Sequence, residues 1–121
     1  GGGVVTATMS ARARVQRVVA VADVLRDRAL EIKAAHKPRR GLPLGRPYWR
    51  ANATLLDLAD RMRAMGLDEA LAAIDAAIAA LEASATEAPL DEDPTSRLDA
   101  HRYAGLRLAE AAADIERGAT S

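Results

Sequence analysis

The side chains with the most evident chemistry form one basic segment. Lys37, Arg39, Arg40, Arg46 and Arg50 fall within fourteen residues that hold no acid, beside His36 and interleaved with Tyr48 and Trp49. Arginines next to aromatic rings suit phosphate contact combined with base stacking, so the segment is a candidate nucleic-acid surface of the sequence-independent kind. The same residues also suit a protein contact. Tyr48 and Trp49 would then pack beneath the segment as anchors while the arginines meet carboxylates. The chain itself supplies such a partner surface, since Glu82 to Asp93 contains five acids and no base.

Other constellations carry less chemistry. His36 and His101 are far apart and neither belongs to a Glu-x-x-His pair, and the chain has no cysteine, so no metal site, thiol chemistry or other cofactor is expected. Asp57 and Asp60 have Arg61 and Arg63 at helical spacing, which reads as surface ion pairing rather than acid–base catalysis. There is no glycine-rich phosphate loop of the required spacing. Thr54 to Ile74 has Leu58, Ala59 and Gly66 near the places a helix-turn-helix needs. Its second helix, however, offers Asp68, Glu69, Asp75 and alanines where a major-groove reader needs Arg, Asn, Gln or Ser. Asn52-Ala53-Thr54 is a formal glycosylation sequon without a secretion signal beside it. No catalytic residue is assigned.

Two family resemblances bear on an enzyme reading. His101-Arg102-Tyr103-Ala104-Gly105 is similar to the His-x-x-Lys-Gly motif of histidine phosphotransfer domains, which are four-helix bundles; it keeps His101 and Gly105 but has Ala104 where the lysine belongs. A long basic helix followed by a loop and a second helix also looks like the intertwined all-helical chorismate mutases, whose sites hold two carboxylates with arginines and a lysine. Arg26 and Lys37 suit that role. Gln16 is the only glutamine, and no glutamate stands at a site-like position in the later helices, so no residue is carried over from that family. A small helical enzyme or phosphotransfer-like bundle is accordingly the third functional reading.

The elements that must position these residues are helices. Val15, Val18, Ala22, Leu25, Ala29, Ile32 and His36 recur at steps of three and four between Ser10 and His36, with Val19, Val21, Val24 and Leu30 widening the stripe. Pro38, Gly41, Pro43, Gly45 and Pro47 then break any regular element. A second helix from Tyr48 carries Leu55, Leu58, Met62 and Met65 up to Gly66, where a left-handed cap is expected. Asp68 is placed to cap a third helix with a stripe of Leu67, Leu71, Ile74, Ile78 and Leu81, forming a tight hairpin with the second. After an acidic connection, Asp93 and Pro94, or Ser96 with Asp99, start a fourth helix that carries Leu98, Leu106, Leu108, Ala112 and Ile115 and ends at Gly118.

The chain therefore reads as an all-α small helical bundle: a tail over 1–9 headed by the linker-like Gly1 to Gly3, one domain over 10–118, and a tail over 119–121. No apolar run approaches the roughly 20 residues that cross a bilayer, so no membrane partner and a cytoplasmic location are expected. Of 121 residues, 29 are alanine, which lets helices approach closely but contributes little apolar area. The first helix should outrun the second and third and leave part of its valine stripe uncovered. Self-association through Val15, Val18, Val19 and Leu25 is the expectation, the alternative being that the fourth helix and the N-terminal tail cover the remainder within one chain.

The neutral total hides a division. Up to Gly66 there are 13 basic and 5 acidic residues, a net of +8; beyond it there are 4 basic and 12 acidic, a net of −8. A head-to-tail or antiparallel contact between copies is physically reasonable on this layout and should weaken with salt. The leading functional expectation is a non-enzymatic interaction module, such as a small subunit or adaptor that self-associates or binds a protein partner. The alternative is a nucleic-acid-associated protein that binds the phosphate backbone through residues 37–50.

Overall fold

Ser10 starts the first helix. Its Oγ accepts from the Ala13 backbone N–H at 3.1 Å, satisfying one of the donors that a helix N-terminus leaves open. A computed structural model describes residues 10–35, 46–87 and 93–120, with side chains at 10–32, 47–87 and 93–117. These form α1 (Ala11–Ala35), α2 (Arg46–Met62), α3 (Leu67–Ser84) and α4 (Pro94–Thr120), with no strand among the described residues. The all-α bundle read from periodicity is the observed fold.

The helix ends show where local chemistry was read correctly and where it was not. Asp93 caps α4 as expected, its Oδ2 accepting from both the backbone N–H and the hydroxyl of Ser96 at 2.9 Å, with Pro94 at the first helical position. Gly66, in contrast, does not close α2 in a left-handed conformation. It is extended (φ −72°, ψ 170°) and stands at the N-cap of α3, while α2 ends in a tightened turn with Met65 N–H bonded to the Met62 carbonyl at 3.0 Å. Asp68 is not that cap either; it lies with Glu69 in the first turn of α3, where a carboxylate complements the helix dipole. Gly118 does not stop α4, which continues to Thr120, because one glycine costs a helix only about 1 kcal/mol relative to alanine.

The four helices alternate in direction. Antiparallel α1 and α2 are registered by two exposed cross-helix ion pairs of opposite order: Arg26 Nη1 to Asp60 Oδ1 at 2.8 Å, and Arg63 to Asp23. Exposed pairs contribute at most about 1 kcal/mol each, so they mark register more than they stabilise it. Arg17 ties α1 to the far half of α4 through Nε, 3.0 Å from the Asp114 carbonyl. Packing is heaviest between α1 and α2 and between α3 and α4, while α4 also lies against α1 and α2. The expected tight α2–α3 hairpin is therefore corrected: those two helices touch sparsely.

Alanine explains the central position of α4. Among the described residues ten of the 22 buried hydrophobic ones are alanines, and the inward face of α4 is Ala100, Ala104, Leu108, Ala111 and Ile115. Small residues on that face let one helix approach three others at normal interior density. The stripe expected from the large residues alone was displaced: Leu108 and Ile115 are core, Leu98 and Ala112 are half-buried, and Leu106 is 55% exposed.

The first helix has 25 residues and the second 17, a difference of about 12 Å at 1.5 Å per residue. The C-terminal half of α4 covers part of the overhang. Val18 and Leu25, both expected on the association face, are in the core of the single chain, because they point with Val21 and Ala22 at the other helices. Val15, 49% exposed, and the half-buried Val19 are what remains of that face.

Candidate docking groove

A concave groove lies between the C-terminal half of α3 and the N-terminal half of α4. It encloses about 520 Å³, with Ile78 and Leu81 on one wall, Leu98 and Leu106 on the other, and Gly105 between them. A Cβ added at Gly105 would meet nothing within 4 Å, so no neighbouring atom demands glycine there. Glycine in the middle of a helix is disfavoured, and what its missing side chain provides at this position is open space in the groove. Glu82 from α3 and Arg102 from α4 form a polar rim. An apolar channel with a sparse charged edge is suited to holding the apolar face of a helix.

One end of the groove is braced by three residues. Arg97 Nε donates to the Ser84 carbonyl at 2.8 Å, satisfying an acceptor in the last turn of α3. His101 is buried, and its Nδ1 lies 2.8 Å from the Arg97 carbonyl. A carbonyl can only accept, so Nδ1 carries the hydrogen in this contact and fixes the ring orientation. His101 thereby serves as groove wall and brace. Its faint phosphotransfer resemblance finds no support in this setting, since a phosphoryl-accepting histidine has to present its ring to solvent and a partner.

The other sequence-derived residues are placed differently. Lys37, Arg39 and Arg40 lie outside the described residues, as do His36 and the side chain of Arg46. Tyr48 and Trp49 are half-buried on the first turn of α2 and Arg50 is exposed beside them. Tyr48 packs against the core, and its burial, reinforced by the Asp99 carboxylate, pushes the phenol above its ordinary pKa. Asp57 and Arg61 form the expected i,i+4 surface pair at 3.0 Å, whereas Asp60 and Arg63 reach across to α1.

A second, smaller crevice of about 80 Å³ separates α1 from α4 and is lined by Val21, Val24 and Arg28 opposite Arg107 and Glu110. Arg107 is well occupied there. Its guanidinium carbon lies 4.6 Å from the Tyr103 ring centroid, Nη2 bonds the Tyr103 hydroxyl at 3.0 Å, and Nη1 meets Glu110 at 2.7 Å. These contacts lift the Arg107 pKa further, the Glu110 bond first. The groove itself was missed in the sequence because its walls combine two helices whose pairing no periodicity specifies; the usable signals were Gly105 inside a helix and Leu106 off the main stripe. No protein-family model, curated protein or solved structure matches this chain.

Proposed function

We propose that the chain is a non-enzymatic helical interaction module that self-associates, with the α3–α4 groove as its docking surface. The observation that carries this reading is the open apolar channel formed by Ile78, Leu81, Leu98 and Leu106 around a helical glycine that packing does not require. Half-exposed leucine beside an unfilled groove is the ordinary signature of a surface that another element covers. The chain also carries a second unfilled apolar feature, Val15 with Val19 at the overhanging start of α1. Two such features on one small domain suit a subunit or adaptor.

Sedimentation velocity tests this reading. Between about 1 and about 100 µM the weight-average sedimentation coefficient is expected to rise with concentration, and to rise less in high salt. A monomer throughout that range overturns it.

A further inference from the structure

Resting on the self-association reading, we propose a specific head-to-tail contact: the start of α1 of one copy, through Val15 and Val19, occupies the α3–α4 groove of the next copy. The occupant is chosen by charge and by shape. Along Ala11 to Ala22, α1 carries Arg12, Arg14 and Arg17 and no acid. The α3 wall of the groove carries Glu82 and no base. Arg12, Val15 and Val19 recur at three and four residues, which places them on one side of the helix with Arg12 and Val15 exposed. That side therefore pairs an apolar ridge with a cation, and the apolar channel offers it Glu82 on the α3 edge, with Arg102 on the α4 edge opposite.

The two surfaces lie on different sides of α4, with α1 packed on it around Ala111 and Asp114 and the groove lying between it and α3 from Leu98 to Ala109. The start of α1 is fixed beside Asp114 by Arg17, whereas the groove is centred on His101, Arg102 and Gly105. Along α4, the twelve residues from Arg102 to Asp114 span about 18 Å. A chain therefore cannot fill its own groove with its own α1. The contact is heterologous, using different patches on the two copies, and generates rings or open chains according to whether the rotation closes. It also brings the acid-free start of one copy's α1 against the base-free α3 of the next.

Leu106 and Val15 are both about half exposed, so changing either leaves the core untouched. Leu106→Arg blocks the groove and leaves α1 intact; Val15→Glu spoils the α1 ridge and leaves the groove intact. Each variant alone, with its helical circular dichroism unchanged, is expected to weaken association at least tenfold in sedimentation. Mixed in equal amounts, the two should form a one-to-one dimer that grows no further, because one good groove meets one good α1 and both remaining surfaces are spoiled. Two results overturn the head-to-tail contact while leaving self-association standing: association unchanged in either variant, or no dimer in the mixture. A native chain that stays monomeric removes both readings together.

Discussion

Arg97, in the first turn of α4, reaches the last turn of α3 and donates its Nε hydrogen to the Ser84 carbonyl at 2.8 Å. The contact joins the two walls of the groove at one end, and the Arg97 carbonyl passes it on to His101. Replacing Arg97 with alanine leaves that carbonyl without the guanidinium and is expected to cost about 1 kcal/mol in urea denaturation. Lysine should recover little of the loss, since it lacks the planar donor that meets the carbonyl. Equal stability of the alanine variant and the native chain would show that the brace contributes nothing.

Asp93 gives α4 a pH-sensitive start. Bonds from the Ser96 backbone and hydroxyl lower its pKa below the ordinary value of 3.8. A carboxylate whose pKa is depressed on folding contributes stability that is complete above the unfolded-state value and lost as pH falls through the folded one. Thermal melts should therefore show a component of the native stability disappearing below about pH 4. Asp93→Asn keeps a capping oxygen and should remove that component, while Asp93→Ala should lower the melting temperature at neutral pH. An acid limb of the stability profile that survives in the asparagine variant contradicts this assignment.

Much of this was legible in the residues. Valine, leucine and isoleucine at helical spacing located all four helices, and Asp93 with Pro94 marked the start of α4 because both signals act locally. Alanine hid the rest. Ala100, Ala104 and Ala111 form most of the inward face of α4, yet an alanine on a helix reads the same whether it faces a neighbour or water. The choice of α3 and α4 as the groove-forming pair is a tertiary matter for the same reason. Gly66 misled because glycine serves either side of a short connection, and only the backbone angles show that it belongs to α3.

Asn52 is the clearest internal mismatch. It is 2% exposed on the core side of α2, and its Oδ1 has no hydrogen-bond partner among the described residues. A buried acceptor that gives up water for nothing costs about 1–3 kcal/mol. Asn52→Leu, of the same branched outline though larger, removes the unpaired polar atoms and is expected to stabilise the fold by about 1 kcal/mol, read from the denaturation midpoint. A destabilised leucine variant would mean that the amide is satisfied in a way that the described residues do not account for.

Gly105 separates helix stability from docking. Gly105→Ala should add about 1 kcal/mol to monomer stability, because alanine is the better helix former and its methyl meets nothing. Gly105→Leu places a branched side chain in the channel and should weaken self-association while the fold persists. Association that is indifferent to leucine at this position would dissociate the groove from the contact.

The central claim is that this groove is where another copy docks, and amide chemical shifts followed by NMR as the native chain is concentrated test it most directly. The shifts are predicted to move along two separate stretches, one around Ile78, Leu81, Glu82, Leu98 and Leu106 and the other from Ala11 to Val19, with the remaining helices little changed. Shifts that stay fixed at these positions while the protein associates, or that move along α2 instead, would contradict the account.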